Sequence, residues 1–306
     1  MVSFVAVAVA GMYVSNNNRN LPFLPSGYNV QDALTSTPLE PPPLAEETVY
    51  DQKWGNFNGI ASITNAYRVL KTTVHDPSAF TQGLQVHKDQ MIEATGGYGE
   101  SLIRIYDPDS GDVSKETNKL PANYFGEGVT YFQDADGNER LVWLTWRERT
   151  AFVYDTDLNY VNMFQFETHN DEGWGITFDP IEKVFYVTDG SEYLQVWDLN
   201  FKEIRRVKVS YQTDPQAPKR IEVPQINELE WDATDGTVLA NVWYQNVILR
   251  INPHNGQVLQ IYDLTELYVN RHERADCMNG IAHQGGNRWW LTGKYWPYMY
   301  LVEFLE

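Results

Sequence analysis

Residues 102–111 are Leu-Ile-Arg-Ile-Tyr-Asp-Pro-Asp-Ser-Gly, a short apolar strand that ends in an acidic residue and continues into a turn. Five versions of this strand ending occur along the chain. They end at Asp107, Asp155, Asp198, Asn252 and Glu303. The repeat of about 45 to 50 residues, with room for about four short strands in each copy, is typical of the blades of a β-propeller.

The body of the chain is predicted to be all-β. Short apolar or alternating runs such as Val247–Ile251 are separated by Asp, Gly, Asn and Pro, and no long segment has a helical period. Five copies predict a five-bladed β-propeller. The fifth copy stops at Glu306 after only three strands, so we expect Tyr67–Val74 to complete the last blade, closing the ring and removing its open edge.

Two sets of equivalent positions are predicted to converge at one mouth of the central channel. The first ring, from the start of each copy, holds Gln82, Glu127, Trp174, Asn227 and Asn279. The second ring, nine residues before the last residue of each strand ending, holds Tyr98, Trp146, Asp189, Trp243 and Lys294. Positions with only a packing task tend towards one residue type, whereas these differ and are almost all large or hydrogen-bonding. They predict a ligand pocket with aromatic walls.

Glu127 and Lys294 are the charged members of the rings that most strongly indicate chemistry. Both are expected to be shielded from water, and an unpaired shielded charge is costly. Such groups commonly have shifted pKa values and act in proton transfer. Asp189 lies in Thr-Asp-Gly-Ser and also suits a turn.

The charge of the chain narrows its partners. With 41 acidic and 23 basic residues, the 306-residue chain carries a net charge of −18. This charge repels phosphate backbones, so we expect no nucleic-acid partner, whereas a cationic peptide would be attracted. The single cysteine, Cys277, allows neither an intramolecular disulfide nor a cysteine-based zinc site.

Three regions are predicted along the chain. Residues 1–14 form an apolar segment that is too short for a comfortable membrane span, and it suits a targeting signal or a marginal anchor. Residues 15–65, rich in Pro and Asn, are predicted to be a disordered linker. Residues 66–306 are the propeller, which we expect to be the catalytic domain.

The body resembles the plant-type glutaminyl cyclases, also called glutamine cyclotransferases. The resemblance rests on several blocks in the right order, from Tyr67 to Phe304. They are His75-Asp76-Pro77-Ser78-Ala79-Phe80-Thr81-Gln82-Gly83-Leu84, Phe125-Gly126-Glu127-Gly128, Leu144-Thr145-Trp146, Glu172-Gly173-Trp174-Gly175, Ile226-Asn227-Glu228-Leu229-Glu230, Asn241-Val242-Trp243 and Leu291-Thr292-Gly293-Lys294. The five-bladed fold of that family agrees with the repeat.

The resemblance implies that the chain closes N-terminal glutamine of peptides or proteins into pyroglutamate and releases ammonia. The family's pocket corresponds here to Phe80, Gln82, Phe125, Glu127, Trp146, Trp174, Asn227, Trp243 and Lys294. We expect Glu127, Lys294 and Asn227 to take part in catalysis, and the other residues of the pocket and rings to bind substrate. The family is often routed through the secretory pathway, to the ER or Golgi lumen, the vacuole or the cell exterior, and residues 2–14 would serve as signal or membrane anchor.

Two other functions remain open from the sequence. A calcium-dependent hydrolase propeller would place oxygen ligands around an axial ion, and Glu127, Asn227, Asn279 and Asp189 could imitate that set. A non-enzymatic propeller could bind a peptide at its aromatic mouth. The cyclase chemistry requires no cofactor, although it is compatible with a structural calcium ion deeper in the channel.

Overall fold

The computed structural model describes residues 49–50, 53–54, 61–212 and 220–305. The described residues form an all-β structure of five four-stranded antiparallel blades, which confirms the predicted five-bladed propeller. No helix in this part of the chain is long and apolar enough to span a membrane.

The first three blades follow one another in sequence. Blade 1 contains β5 (Thr81–His87), β6 (Gln90–Thr95), β7 (Ile103–Tyr106) and β8 (Val113–Glu116). Blade 2 contains β9 (Gly126–Gln133), β10 (Glu139–Thr145), β11 (Thr150–Asp155) and β12 (Tyr160–Gln165). Blade 3 contains β13 (Ile176–Asp179), β14 (Val184–Val187), β15 (Tyr193–Trp197) and β16 (Glu203–Lys208). In each blade the strands pair in sequence order, so the first strand is innermost.

A small ladder separates the third and fourth blades, and the last blade uses strands from both ends of the chain. The ladder pairs β17 (Ser210–Tyr211) with β18 (Ile221–Glu222). Blade 4 contains β19 (Ile226–Asp232), β20 (Thr237–Val242), β21 (Val247–Ile251) and β22 (Val258–Asp263). Blade 5 contains β23 (Met278–Gly285), β24 (Arg288–Gly293), β25 (Tyr298–Phe304) and, as its outer strand, β4 (Tyr67–Val74).

The ring closes through β4, as the sequence predicts. This strand runs antiparallel to β25, from the pair Tyr67–Phe304 to the pair Val74–Tyr298. Its backbone hydrogen bonds join the start of the propeller to its end. The last blade therefore contains strands from both ends of the propeller sequence.

The end of the predicted linker contributes short strands to the propeller. β3 (Ser62–Thr64) adds a parallel strand to the outer edge of β22. β2 (Lys53–Trp54) pairs with β3, and β1 (Val49–Tyr50) pairs with β4. These short strands precede the boundary predicted at residue 65, which stays a prediction. The rest of the linker and the predicted targeting segment 1–14 lie outside the described residues.

Aromatic side chains hold neighbouring blades together. Phe132 on β9 meets Phe185 on β14 with 5.1 Å between ring centroids, which joins blades 2 and 3. Tyr262 on β22 stacks on Phe304 of β25 at 3.8 Å, which joins blades 4 and 5. Burying each such ring stabilises the fold by roughly 1.5–3 kcal/mol. The inner strands are buried on both faces, so they lack the polar alternation of exposed strands.

A collar of glycines lets the five inner strands approach the axis. The equivalent position is Gly83, Gly128, Gly175 and Gly280 in blades 1, 2, 3 and 5. A Cβ atom on Gly83 would lie 2.5 Å from the backbone nitrogen of Val129 on the next inner strand. A Cβ on Gly128 would lie 2.7 Å, and one on Gly175 2.2 Å, from a backbone oxygen of the following blade. Any larger residue in these three blades would push neighbouring blades apart.

In blade 4 the collar position is Glu228, which reaches across the axis. One oxygen of its carboxyl group accepts the backbone N–H of Leu84 at 3.2 Å, and the other accepts that of Ile281 at 2.9 Å. Leu84 and Ile281 each follow a collar glycine. The side chain is 1% exposed, and burial, with the nearby Glu230 charge, raises its pKa well above the ordinary range. Glu228 therefore ties blades 1, 4 and 5 together beneath the first ring.

Candidate active site

The first ring lies at the start of the five inner strands. Gln82, Glu127, Asn227 and Asn279 belong to β5, β9, β19 and β23, and Trp174 lies two residues before β13. Trp174 is half-buried and the other four are buried. The side-chain amide of Asn279 donates to the Gln82 side-chain oxygen at 3.4 Å, so the ring is in contact across the junction of blades 5 and 1.

The second ring lies where the second strand of each blade ends. Tyr98, Trp146, Asp189, Trp243 and Lys294 directly follow or lie within a few residues of β6, β10, β14, β20 and β24. Lys294 is buried, whereas Tyr98 is 48% exposed. Because the first strand starts and the second strand ends at the same edge of a blade, both rings lie at one mouth.

Aromatic rings form the wall of this mouth. Phe125 makes edge-to-face contacts with Phe80, Tyr98 and Trp146, at centroid distances of 5.8, 5.3 and 5.7 Å. The Lys294 ammonium lies 4.5 Å from the centroid of the Phe80 ring. The two phenylalanines were predicted from the family resemblance, and they lie in contact with ring members.

A second part of the wall comes from blades 3 and 4. The rings of Trp174 and Trp243 meet at 5.7 Å and are nearly perpendicular. Each predicted aromatic side chain thus touches another, and the rings line the mouth at which the buried Glu127 and Lys294 lie.

Glu127 is a buried carboxyl group with an unusual environment. The residue is 4% exposed, and its side chain accepts no hydrogen bond from the described residues. Burial raises its pKa well above the ordinary range. The Lys294 charge acts in the opposite direction, and the carboxylates of Glu172 and Glu148 raise the pKa further. A buried carboxyl group with a raised pKa is suited to taking up a proton and returning it.

Two asparagines of the first ring present unused hydrogen-bond acceptors. The side-chain oxygens of Asn227 and Asn279 are buried and have no hydrogen-bond partner in the described part of the chain. The Asn279 amide nitrogen is already engaged, since it donates to the Thr81 carbonyl at 3.0 Å. Because a buried polar atom without a partner is costly, these oxygens are suited to a bound ligand that carries N–H groups.

Asp189 has its carboxylate occupied by its own surroundings. One oxygen accepts the Ser191 hydroxyl at 2.5 Å, and the other accepts the backbone N–H of Asn170 at 2.7 Å. The adjacent Gly190 lies against Trp174, where a Cβ would be 2.6 Å from the ring. Asp189 thus stabilises the loop behind Trp174. This arrangement does not favour the calcium-hydrolase set, because Asp189 was to supply one of its oxygen ligands.

Sequence reasoning missed Glu172, which connects two walls of the pocket. One of its oxygens accepts the indole N–H of Trp146 at 2.8 Å and that of Trp174 at 3.0 Å. The other pairs with Arg147 at 3.1 Å, and the Arg147 guanidinium lies 3.8 Å over the Trp146 ring. Glu172 has the position in the repeat that Phe80 and Phe125 have in their copies. This equivalence could have identified Glu172 from the sequence.

Glu148 has a similar task on the other side of the pocket, and it was also missed. Its carboxylate accepts the Tyr98 hydroxyl at 3.0 Å and the backbone N–H of Phe125 at 3.1 Å. Tyr98 belongs to blade 1 and Phe125 leads into blade 2. Nothing in the sequence singles out Glu148, because its partners lie 50 and 23 positions away along the chain.

The described residues contain no group of three or more His, Cys, Asp or Glu side chains placed to hold a metal ion. On the axis, Glu230 accepts the backbone N–H of His283 at 3.1 Å and the Gln85 amide at 3.3 Å. Glu228 and Glu230 are thus engaged with N–H donors. The structural calcium ion considered from the sequence remains a prediction.

Comparison with known proteins agrees with this geometry. The family model described as glutamine cyclotransferase matches residues 47–304. A glutaminyl-peptide cyclotransferase from Arabidopsis thaliana is 33% identical, over 83% of this chain and 77% of that protein. The crystal structure of Myxococcus xanthus glutaminyl cyclase is similar, with a TM-score of 0.65 and 26% identity over 81% of this chain and 99% of that one. The chain therefore belongs to the glutamine cyclotransferase family, as the resemblance predicted.

Proposed function

We propose that this chain converts the N-terminal glutamine of peptides or proteins into pyroglutamate, with release of ammonia. The observation that carries the proposal is the buried Glu127 carboxyl group. It accepts no hydrogen bond from the described residues, has a raised pKa, and is close enough to Lys294 for the two charges to interact. A group of this kind is suited to moving a proton within a substrate that the aromatic walls enclose.

The walls would hold the glutamine side chain folded over its own α-amine. The reaction joins two groups of one residue, so placing them in contact provides much of the rate acceleration. Phe80, Phe125 and Trp146 on one side, and Trp174 and Trp243 on the other, supply flat apolar surfaces for the aliphatic part of that side chain.

The chemical steps follow from the positions of the polar groups. The neutral α-amine attacks the γ-carboxamide carbon, and the new carbon–nitrogen bond closes a five-membered lactam. The Glu127 carboxylate takes the proton released by the attacking nitrogen. It then delivers that proton to the amide nitrogen, whose bond to carbon breaks as ammonia leaves. Glu127 ends in the state in which it began, so no other reactant is needed.

Lys294 and the ring amides would stabilise the negative charge that develops on the amide oxygen. Lys294 is buried over the Phe80 ring, where water does not weaken its field. Gln82 is 3% exposed and faces the same mouth. The unused oxygen of Asn227 can accept a hydrogen bond from the attacking amine or the leaving nitrogen.

The first experiment is ammonia release from a short peptide that begins with Gln, with and without EDTA, together with the mass of the product. We expect release that survives EDTA and a product lighter by one ammonia. Glu127→Gln is expected to lower kcat by about 10²- to 10⁴-fold. The control is Glu116→Gln on the exposed β8, which should leave kcat unchanged. Nearly unchanged turnover in Glu127→Gln would refute the proton-transfer role.

The predicted passage through the secretory pathway, with residues 2–14 as signal or membrane anchor, remains a prediction that rests on the apolar sequence and on the family resemblance. Fractionation of cells that express the full chain and a chain lacking residues 2–14 would test it. Identical distribution of the two chains would contradict a targeting role.

A further inference from the structure

In blades 1, 3, 4 and 5 the residue that follows the second-ring member has a positive φ. This residue lies in a turn, and in blades 1, 4 and 5 the backbone N–H of the turn's fourth residue bonds to the carbonyl of its first, at 3.0, 2.9 and 3.1 Å. The ring member is the second residue, and the third has positive φ. The third residue is Gly99 (φ 74°) in blade 1, Tyr244 (φ 57°) in blade 4 and Tyr295 (φ 60°) in blade 5. Gly190 (φ 76°) has the equivalent position in blade 3. Glycine is the residue that adopts this conformation without strain.

A tyrosine at this position is therefore strained, and such strain is concentrated at functional sites. Tyr295 has an evident use, since its ring contacts Phe80 at 5.2 Å. Phe80 in turn supports the Lys294 ammonium. In blade 5 the strained tyrosine thus backs the pocket wall. The same question then arises for Tyr244.

Tyr244 extends the tryptophan wall outwards. Its ring lies 4.8 Å from that of Trp243, which contacts Trp174 at 5.7 Å. However, 47% of Tyr244 is exposed. The ring therefore offers a free surface at the rim of the mouth, in direct continuity with the pocket.

Charged groups lie next to this surface: Asp276 interacts with Tyr244, and Arg271 interacts with Asp276. Asp276 lies beside Tyr244 and, after burial itself, is the main cause that raises the pKa of Tyr244 to about 12. The hydroxyl thus stays neutral and the Asp276 carboxylate supplies a charge. The face of an aromatic ring attracts cations, and so does the net charge of −18.

We propose that Tyr244 and Asp276 form a subsite that binds the substrate residue following the N-terminal glutamine and favours a cationic side chain there. The proposal rests on the proposed function, in which the glutamine fills the pocket. The peptide must then leave through the mouth, and a chain advances by at most about 3.3–3.6 Å per residue. The proposal places the side chain of the second residue on the Tyr244 ring, because this ring directly adjoins Trp243 of the wall.

The test compares glutamine amide, Gln-Lys-Gly, Gln-Gly-Gly and Gln-Glu-Gly as substrates for the wild-type chain and Tyr244→Gly. Glycine suits the backbone at this position, so relief of strain partly offsets the lost ring contact and the variant should fold. We expect about a tenfold loss of kcat/KM for Gln-Lys-Gly, mostly through KM, and less than a twofold change for glutamine amide. Asp276→Asn keeps the oxygen that accepts the Cys277 N–H and should remove the preference for Lys over Glu.

Lys183→Gly is the matched control, because Lys183 also has positive φ (56°) but lies in the turn between β13 and β14, at the far end of the blade. It should change none of the four substrates. Equal turnover of Gln-Lys-Gly and Gln-Glu-Gly by the wild-type chain would refute the subsite, and so would an equal loss for all substrates in Tyr244→Gly. A wild-type chain that releases no ammonia from any of them would instead refute the proposed function itself.

Discussion

Replacing Glu172 by Ala should lower kcat/KM by about 10- to 100-fold. One oxygen of Glu172 accepts both indole N–H groups, at 2.8 Å from Trp146 and 3.0 Å from Trp174. A hydrogen bond to a charged acceptor contributes about 1.5–3 kcal/mol. The Glu172 side chain is 22% exposed, so we use the lower value, which gives about 3 kcal/mol for the two bonds. At about 1.36 kcal/mol per tenfold change in rate, this free energy corresponds to about a 100-fold loss. Part of the free energy lowers the stability of the fold rather than the rate.

The assay is ammonia release at several substrate concentrations and pH values, for the wild-type chain, Glu172→Ala and Glu172→Gln. A glutamine at position 172 still offers an oxygen to both indoles, so it should retain kcat/KM within about fivefold. Both variants remove a negative charge that raises the pKa of Glu127. Because the reaction needs Glu127 as carboxylate, the acid limb of the pH–rate profile should move to lower pH in both.

The pH shift separates positioning from a purely structural role, since a residue that only stabilised the fold would not move the limb. Glu182→Gln removes one charge at the far end of blade 3 and should leave the profile unchanged. The reasoning would be refuted if Glu172→Ala kept kcat/KM within twofold of the wild-type value and the acid limb did not move.

Two predictions concern stability. Gly175→Ala would place a Cβ 2.2 Å from the Asn227 backbone oxygen, so the free energy of unfolding should fall by about 3 kcal/mol or more. Gly137→Ala, with open space around it, should cost only about 1 kcal/mol for its positive φ, and equal denaturant midpoints for the two variants would contradict the collar. Burial raises the pKa of Glu230 from 4.5 to about 8. The fold is therefore most stable while Glu230 is protonated, and this stability is lost as pH rises from about 4.5 through about 8. The free energy of unfolding should fall by about 5 kcal/mol in total, at ~1.4 kcal/mol per pKa unit. Glu230→Gln should therefore reduce this loss at alkaline pH, measured by urea titration. An equal decline in the wild-type chain and the variant would contradict the prediction.

The fold was predictable from the sequence because the propeller repeats its local chemistry. The strand endings at Asp107 and Asp155 are followed by the same kind of turn, and the nine-residue step back from each of the five strand endings reaches a residue at the mouth. A regular strand converts such spacing into position, so equivalent residues had to meet at one mouth. The outer strand Tyr67–Val74 could be identified because a blade of three strands leaves an open edge.

Other parts of the site depend on contacts between blades, which spacing within one blade does not specify. Glu172 meets Trp146 across 26 positions of the chain, and Glu228 meets Leu84 across 144. Asp189 had the right spacing for a ligand contact, yet its carboxylate is taken by its own loop. Whether a side chain faces the ligand, its own loop or another blade depends on its direction and on the neighbours that the closed ring supplies.

The sequence by itself determined the number of blades, the ring closure and the two rings of residues at the mouth, because these follow from a repeated local pattern. Only the tertiary structure decided which carboxyl group stands without a hydrogen bond, which ones hold the aromatic walls, and which one crosses the axis. Glu127, Glu172 and Glu228 are alike as residues. Burial, the donors within reach and the distance between neighbouring blades make one of them suited to proton transfer and the other two to support.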